Sequence, residues 1–230
     1  SEALKHLGPL MQQAELLAAQ YDAVVANPPY MGSKFHVPLL KKFMRDHYDG
    51  YEKDVFAAFI DRDLALVKMT GGRYHAAHIS TAESVAKIRA AKADGLRVTC
   101  DPAPPYFALN ELAVGEYRTF AKLSPPLRTE ADREAVIAGL KDGTIDAIAS
   151  DHAPHDEESK RVPFAQAASG GVGLETLLSV TLELYHNGHL GLLDALKLVT
   201  SAPADLFGLT AGRLQKGDPA DLVLIDPDSA

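Results

Sequence analysis

The stretch Thr144-Ile145-Asp146-Ala147-Ile148-Ala149-Ser150-Asp151-His152-Ala153-Pro154-His155 decides how the rest of the chain is read. Residues 145–149 form an apolar run of the length expected for a buried strand. An acid, Asp151, stands at its C-terminal mouth, with His152 and His155 beside it. In parallel α/β barrels the C-terminal ends of the strands carry the chemistry. A carboxylate there can bind a metal and move protons, which suits metal-assisted hydrolysis. Taken alone, the same letters also describe a solvated Asp-His turn opening a loop.

Outward from this stretch the chain alternates. Residues 74–79 and 96–100 read as strands, and 82–93 and 130–141 as helices. Helices are also predicted over 173–186 and 190–199, and a late strand over 221–225 (DLVLI). Strands alternating with helices of this length indicate βαβ units and a parallel sheet. Towards the N-terminus, helices are predicted over 9–20, 38–47 and 52–68. Phe56, Phe59, Ile60, Leu64 and Val67 fall on one face of the last. A short buried strand is predicted over 21–26, stopped by Asn27-Pro28-Pro29. Residues 151–172 have little periodicity, as functional or mobile segments often do.

Bulk properties narrow the function classes. The chain has 230 residues, enough for one domain or two. No apolar run approaches the roughly 20 residues of a membrane span. The segment SEALKHLGPL lacks the basic and apolar regions of a secretory signal. A single cysteine, Cys100, excludes an internal disulfide and a cysteine-rich zinc site. With no signal, it leads to the expectation of a cytoplasmic protein. The net charge of −8 argues against a nucleic-acid-binding surface.

Four features line up in the last two-thirds of the chain. The first is Arg73-Tyr74-His75-Ala76-Ala77-His78-Ile79-Ser80-Thr81, with His78 near a strand end and Ser80 or Thr81 as helix cap. His75 and His78 are three apart and on a strand would face opposite sides, so they are not expected to share one metal. The second is Lys122-Leu123-Ser124-Pro125-Pro126, an extended turn that can aim the Ser124 side chain. The third is Asp151 with His155. The fourth is Ser169-Gly170-Gly171-Val172-Gly173, whose glycines let backbone approach a ligand closely.

In this order the four features resemble the second half of a dihydroorotase, of the amidohydrolase superfamily. The resemblance runs from about Arg62 to the C-terminus and closes with GRLQKGDPADLVLIDPD. It implies an α/β fold, a partial (β/α)8 TIM-like barrel of the amidohydrolase type. Residues 67–212 would be the C-terminal half of that barrel and 213–230 the start of a return to a small β-sandwich. By the same resemblance His78 is a zinc ligand, and Asp151 binds zinc and is the catalytic acid/base. His155, Ser169 and Gly170 would contact the substrate. Ser124 stands where many members carry an asparagine. The implied reaction interconverts N-carbamoyl-L-aspartate and L-dihydroorotate, with zinc activating water and Asp151 relaying its proton.

Residues 1–66 read differently. Tyr21-Asp22-Ala23-Val24-Val25-Ala26-Asn27-Pro28-Pro29-Tyr30 resembles the catalytic motif of N6-adenine DNA methyltransferases, above all large ones of phage-defence systems. That resemblance implies a fragment of a Rossmann-like domain in which Asn27, Pro28, Pro29 and Tyr30 hold a flipped base. No glycine-rich loop for S-adenosylmethionine precedes the motif, so neither that cofactor nor methyl transfer is expected. The chain then reads as a hybrid joined near residues 61–69.

The zinc set is incomplete. A catalytic zinc takes about three protein ligands, and the superfamily's first strand supplies a His-x-His pair. The nine histidines contain no such pair. Three readings stay open: a cyclic amide hydrolase of pyrimidine biosynthesis, incomplete by itself; a methyltransferase fragment; and a non-catalytic α/β protein with relic site residues. A small molecule is the expected partner. The open sheet edges of half a barrel would favour self-association.

Overall fold

Two short strands, β1 (Tyr74–Ala76) and β2 (Val98–Cys100), pair in parallel, with Tyr74 opposite Val98 and Ala76 opposite Cys100. The helix between them, α3 (Ala82–Ala93), makes the pair a βαβ unit. In order, α1 (Pro38–His47) and α2 (Val55–Thr70) precede this unit. After it come α4 (Pro105–Ala108), α5 (Glu130–Asp142), α6 (Glu157–Lys160), α7 (Leu177–His186), α8 (Leu192–Lys197) and α9 (Ser201–Phe207). The computed structural model describes residues 36–48 and 55–229, with Met11, Gln12, Glu15, Ala19, Tyr21 and residues 23–28.

Helix starts follow their sequence signals. Thr81 caps α3 by accepting from the Ser84 backbone N–H at 3.1 Å. Thr129 and Asp132 form a reciprocal capping box at α5, which ends at Gly143 in the left-handed conformation. Asp132 also accepts from the Ala82 backbone N–H at 2.8 Å and so ties α5 to the start of α3. Val85, Ile88 and Ala91 of α3 and Val136, Ile137 and Leu140 of α5 pack into one core with Ile79, Val98, Cys100, Ile145 and Ile148. Phe56, Ile60, Leu64 and Val67 of α2 join that core. Phe59, predicted on the same face, is 39% exposed.

Residues 145–149 run beside β2, as the burial of Ile145, Ala147 and Ile148 requires. Asp146 donates its backbone N–H to Cys100 O at 3.0 Å, and Ala149 donates to Pro102 O at 3.0 Å. They nonetheless do not complete a regular ladder. The Cys100 N–H, which a neighbouring strand's carbonyl would take, donates instead to the Asp146 side chain at 2.9 Å. Lys92 of α3 holds that carboxylate through both oxygens at 2.7 Å.

Besides residues 145–149, three more strand predictions need correction. The strand of 74–79 stops at Ala76, because the chain turns at Ala77 and His78. Residues 23–26, with Val24 and Val25 80% and 95% exposed, are not a buried strand. Residues 221–225 are irregular, and Leu222, Val223 and Leu224 are 67%, 83% and 100% exposed. An apolar run becomes a strand only where another edge accepts its hydrogen bonds, and among the described residues neither run meets one. Of the predicted helix 9–20, Met11, Gln12 and Glu15 are helical, and most of the remainder lies outside the described residues. Conversely, α9 was not anticipated.

Candidate functional site

Three acidic or imidazole side chains follow the C-terminal ends of neighbouring extended segments: His78 after β1, Asp101 after β2 and Asp151 after residues 145–149. His78 Nε2 lies 3.7 Å from Asp151 Oδ1, so the two side chains picked out from the sequence converge. Both residues adopt left-handed backbone, with φ of 55° and 46°. That region costs a non-glycine residue on the order of 1–2 kcal/mol. The surrounding packing therefore has to enforce it, and such strain clusters at functional sites. Among the described residues the only other non-glycine with positive φ is Tyr117.

Asp101 is the residue that the sequence reading missed. It is buried, and its Oδ2 lies 2.7 Å from His75 Nε2. Its Oδ1 accepts the His78 backbone N–H at 3.0 Å and lies 3.4 Å from His78 Nδ1. The last contact is too poorly aligned to be a hydrogen bond, and the buried Nδ1 makes none. Burial pushes the Asp101 carboxyl up, but the two histidines and the His78 N–H outweigh it and hold the pKa at about 2. The Asp101 carboxylate in turn raises the His78 imidazole above its ordinary value; burial opposes this and Asp151 adds to it. His75 and His78 were expected to face opposite ways. The early end of β1 overturns that, and both rings meet one carboxylate.

The remaining predicted residues sit on loops that are laced to the Asp151 turn. His152 bridges to Gly171, and Ala153 donates its N–H to Gly171 O at 2.9 Å. The His152 Nδ1 accepts from the backbone N–H groups of Gly173 and Leu174, at 3.1 Å each, so its proton sits on Nε2. His155 Nε2 donates to Ser169 O at 2.8 Å. Gly170 donates to Lys122 O at 3.0 Å, which brings the turn carrying Ser124 alongside; Ser124 itself is exposed. The glycines serve close backbone approach, but to the Asp151 turn. A Cβ on Gly173 would lie 2.1 Å from Ser150 O, and one on Gly170 would lie 2.7 Å from Ala153 O. The following helix, predicted from residue 173, begins only at Leu177.

Two lysines order the segment between these turns. Lys160, 2% exposed, donates to the carbonyls of Thr119 and Lys122 at 3.3 Å. Lys122 donates to the carbonyls of Phe164, Ala165 and Ala167 at 2.6–3.2 Å. A cavity of about 600 Å³, lined in part by Arg73, Gly143 and Ile145, lies at the N-terminal ends of the strands and takes no part in this cluster.

A tetrahedral zinc with donors about 2.0–2.2 Å away spaces those donors a little over 3 Å apart. The 3.7 Å between His78 Nε2 and Asp151 Oδ1 fits two ligands of one such ion. A third donor is missing from the cluster: among the described residues no three His, Cys, Asp or Glu side chains converge as a metal site. Asn27 is exposed, and Pro28 is half-buried beside it. Pro29 and Tyr30 lie outside the described residues.

The chain is similar to known proteins over most of its length. The chain is 52% identical over 168 residues to a dihydroorotase of Anaplasma phagocytophilum (strain HZ), covering 73% of this chain and 38% of that one. It is 50% identical over 169 residues to a dihydroorotase of Syntrophotalea carbinolica, covering 74% and 40%. The chain thus spans about two-fifths of the length of these relatives. Among solved structures, an L-hydantoinase (dihydropyrimidinase) from Arthrobacter aurescens superimposes with a TM-score of 0.69 at 29% identity, over 79% of this chain and 44% of that one. A dihydropyrimidinase from Brevibacillus agri shares the fold, with a TM-score of 0.68 at 24% identity over 79% and 43%.

The methyltransferase resemblance gains no such support. A family match that begins at residue 31 runs through the join placed at residues 61–69. With residues 31–230 matching the amidohydrolase family model, the chain belongs to the amidohydrolase family.

Proposed function

We propose that this chain carries the C-terminal half of a dihydroorotase-like active site, one that opens and closes a cyclic amide between L-dihydroorotate and N-carbamoyl-L-aspartate. The observation that carries the reading is the meeting of His78 and Asp151, both in strained backbone, one after β1 and the other after the extended residues 145–149 on the far side of β2. Dihydroorotase relatives at about 50% identity support it.

His78 Nε2 and Asp151 Oδ1 would hold a zinc ion, together with ligands outside this cluster. When bound, zinc lowers the pKa of a water and polarises a carbonyl. Asp151 accepts a proton during attack on the ring carbonyl and returns it to the leaving ring nitrogen. His155, held by its Nε2 donating to Ser169 O, would contact a substrate carboxylate. Backbone at Ser169 and Gly170 and the Ser124 hydroxyl would line the ring. In this reading residues 67–212 are barrel and 213–230 lead towards a further small domain. The substrate is a small molecule; no described helix is long and apolar enough to cross a membrane. For residues 1–30, which precede the family match, methyltransferase ancestry is a separate proposal resting on the Asn27–Tyr30 motif alone.

The deciding experiment is metal analysis of the purified chain after zinc loading, with His78→Ala and Asp151→Asn alongside. With two donors of its own we expect the wild type to bind zinc loosely, in competition with a weak chelator, and His78→Ala to bind none. Asp151→Asn should abolish any ring opening, because an amide cannot relay the proton. Zinc binding in the wild type no stronger than in His78→Ala, even with zinc in excess, would sink the reading.

A further inference from the structure

We infer that Asp101 is a positioning residue for His78: its carboxylate, clamped by His75, holds the His78 ring so that Nε2 faces Asp151 as a metal donor. The inference deepens the hydrolase reading and rests on it. A histidine ligand must offer one bare nitrogen, and it normally donates its other N–H to a carboxylate or carbonyl that fixes tautomer and orientation. His78 presents Nε2 to Asp151 and buries Nδ1 at 3.4 Å from Asp101 Oδ1. That buried Nδ1 makes no hydrogen bond as it stands, so a small rotation of the ring would complete the contact.

The rest of the network explains why Asp101 is an orienter and not a third donor. An ionised carboxylate only accepts, so the proton between His75 and Asp101 belongs to His75 Nε2, at 2.7 Å. His75 Nδ1 must then accept, and it does so from the Thr99 hydroxyl at 2.8 Å. Oδ1 is further engaged by the His78 backbone N–H at 3.0 Å. Thr99, His75, Asp101 and His78 thus form a chain of contacts ending at the face of His78 that meets Asp151. The same Oδ1 contact to the His78 N–H also helps to hold that residue in its left-handed backbone, with φ of 55°.

Two readouts test this without relying on turnover. The first is zinc affinity, by competition with a chromophoric chelator, in the wild type, Asp101→Asn, Asp101→Glu and His75→Leu. Asp101→Asn should lose about 10–100-fold, the usual cost of deleting such a partner. Asp101→Glu should recover part of it, and His75→Leu should lose less than Asp101→Asn. The second is the His78 ring tautomer in the metal-free protein, read from its 15N shifts at mildly alkaline pH. We expect the Nδ1–H form in the wild type and a shift towards Nε2–H in Asp101→Asn. Should that variant not fold, the same shift, smaller in size, is expected in His75→Leu. Unchanged affinity and an unchanged tautomer would overturn the inference. If the wild type binds no zinc, the hydrolase reading fails while the tautomer still decides the role of Asp101.

Discussion

Residues 145–149 (IDAIA) and 221–225 (DLVLI) are close to interchangeable as sequence: five residues, mostly aliphatic, with one acid each. The first is buried and hydrogen-bonded along β2, and it delivers Asp151 to the site. The second is irregular and almost wholly exposed. The difference lies in the neighbours. β2 and the residues just after it offer Cys100 O and Pro102 O as acceptors, and α3, α5 and the residues around Leu198 close over Ile145 and Ile148. Residues 221–225 meet no comparable edge or core among the described residues. An apolar run supplies the side chains of a strand but not its partner, and the partner decides.

Substitutions that touch one run and spare the other can break this comparison. Ile145→Ala should lower stability by about 2–5 kcal/mol, because the vacated volume sits in the main core. Urea unfolding measures it, and a loss below 1 kcal/mol would mean that the segment is not core. Asp146→Ala should cost about 1–3 kcal/mol by stranding the Cys100 N–H and freeing Lys92. Asp146→Asn, which keeps an acceptor, should cost less, and the gap between the two measures the side chain's part in replacing a ladder. Lys160→Met should leave the melting temperature almost unchanged yet speed chymotryptic cleavage between residues 151 and 172, because the loop loses its contacts to Thr119 O and Lys122 O. Equal cleavage rates would assign the ordering to Lys122 alone. At the small end, Leu224→Ser should stay within about 0.5 kcal/mol of the wild type. A larger effect would show that 221–225 is covered in solution.

Much of the candidate site was legible because it follows a rule of position. His78 and Asp151 were found as chemistry-bearing residues at strand ends, next to turns that the letters mark. Asp101 obeys the same rule, directly after the strand of 96–100, and could have been found by it. The letters alone do not single it out, because an acid before proline reads equally well as a plain turn. The glycines at 170 and 173 were recognised as sites of close approach, but what they approach, Ser150 O and Ala153 O, depends on two turns some twenty residues apart. The shared focus of His75 and His78 was not legible at all. It needs β1 to end at Ala76, and strand ends are set by the neighbouring strand.

Local pattern by itself determined the helices α1 to α3 and α5, the Thr81 cap of α3, the alternation that makes a βαβ unit, and the placing of His78 and Asp151 after extended segments. Those features arise from propensity, capping and periodicity within a few residues. Tertiary structure alone decided which apolar runs became strands, and that a third residue, Asp101, ties the two histidines together. It also decided that His78 and Asp151 take left-handed backbone to meet. Each of these depends on contacts between segments 20–70 residues apart, whose geometry only the packed core can impose.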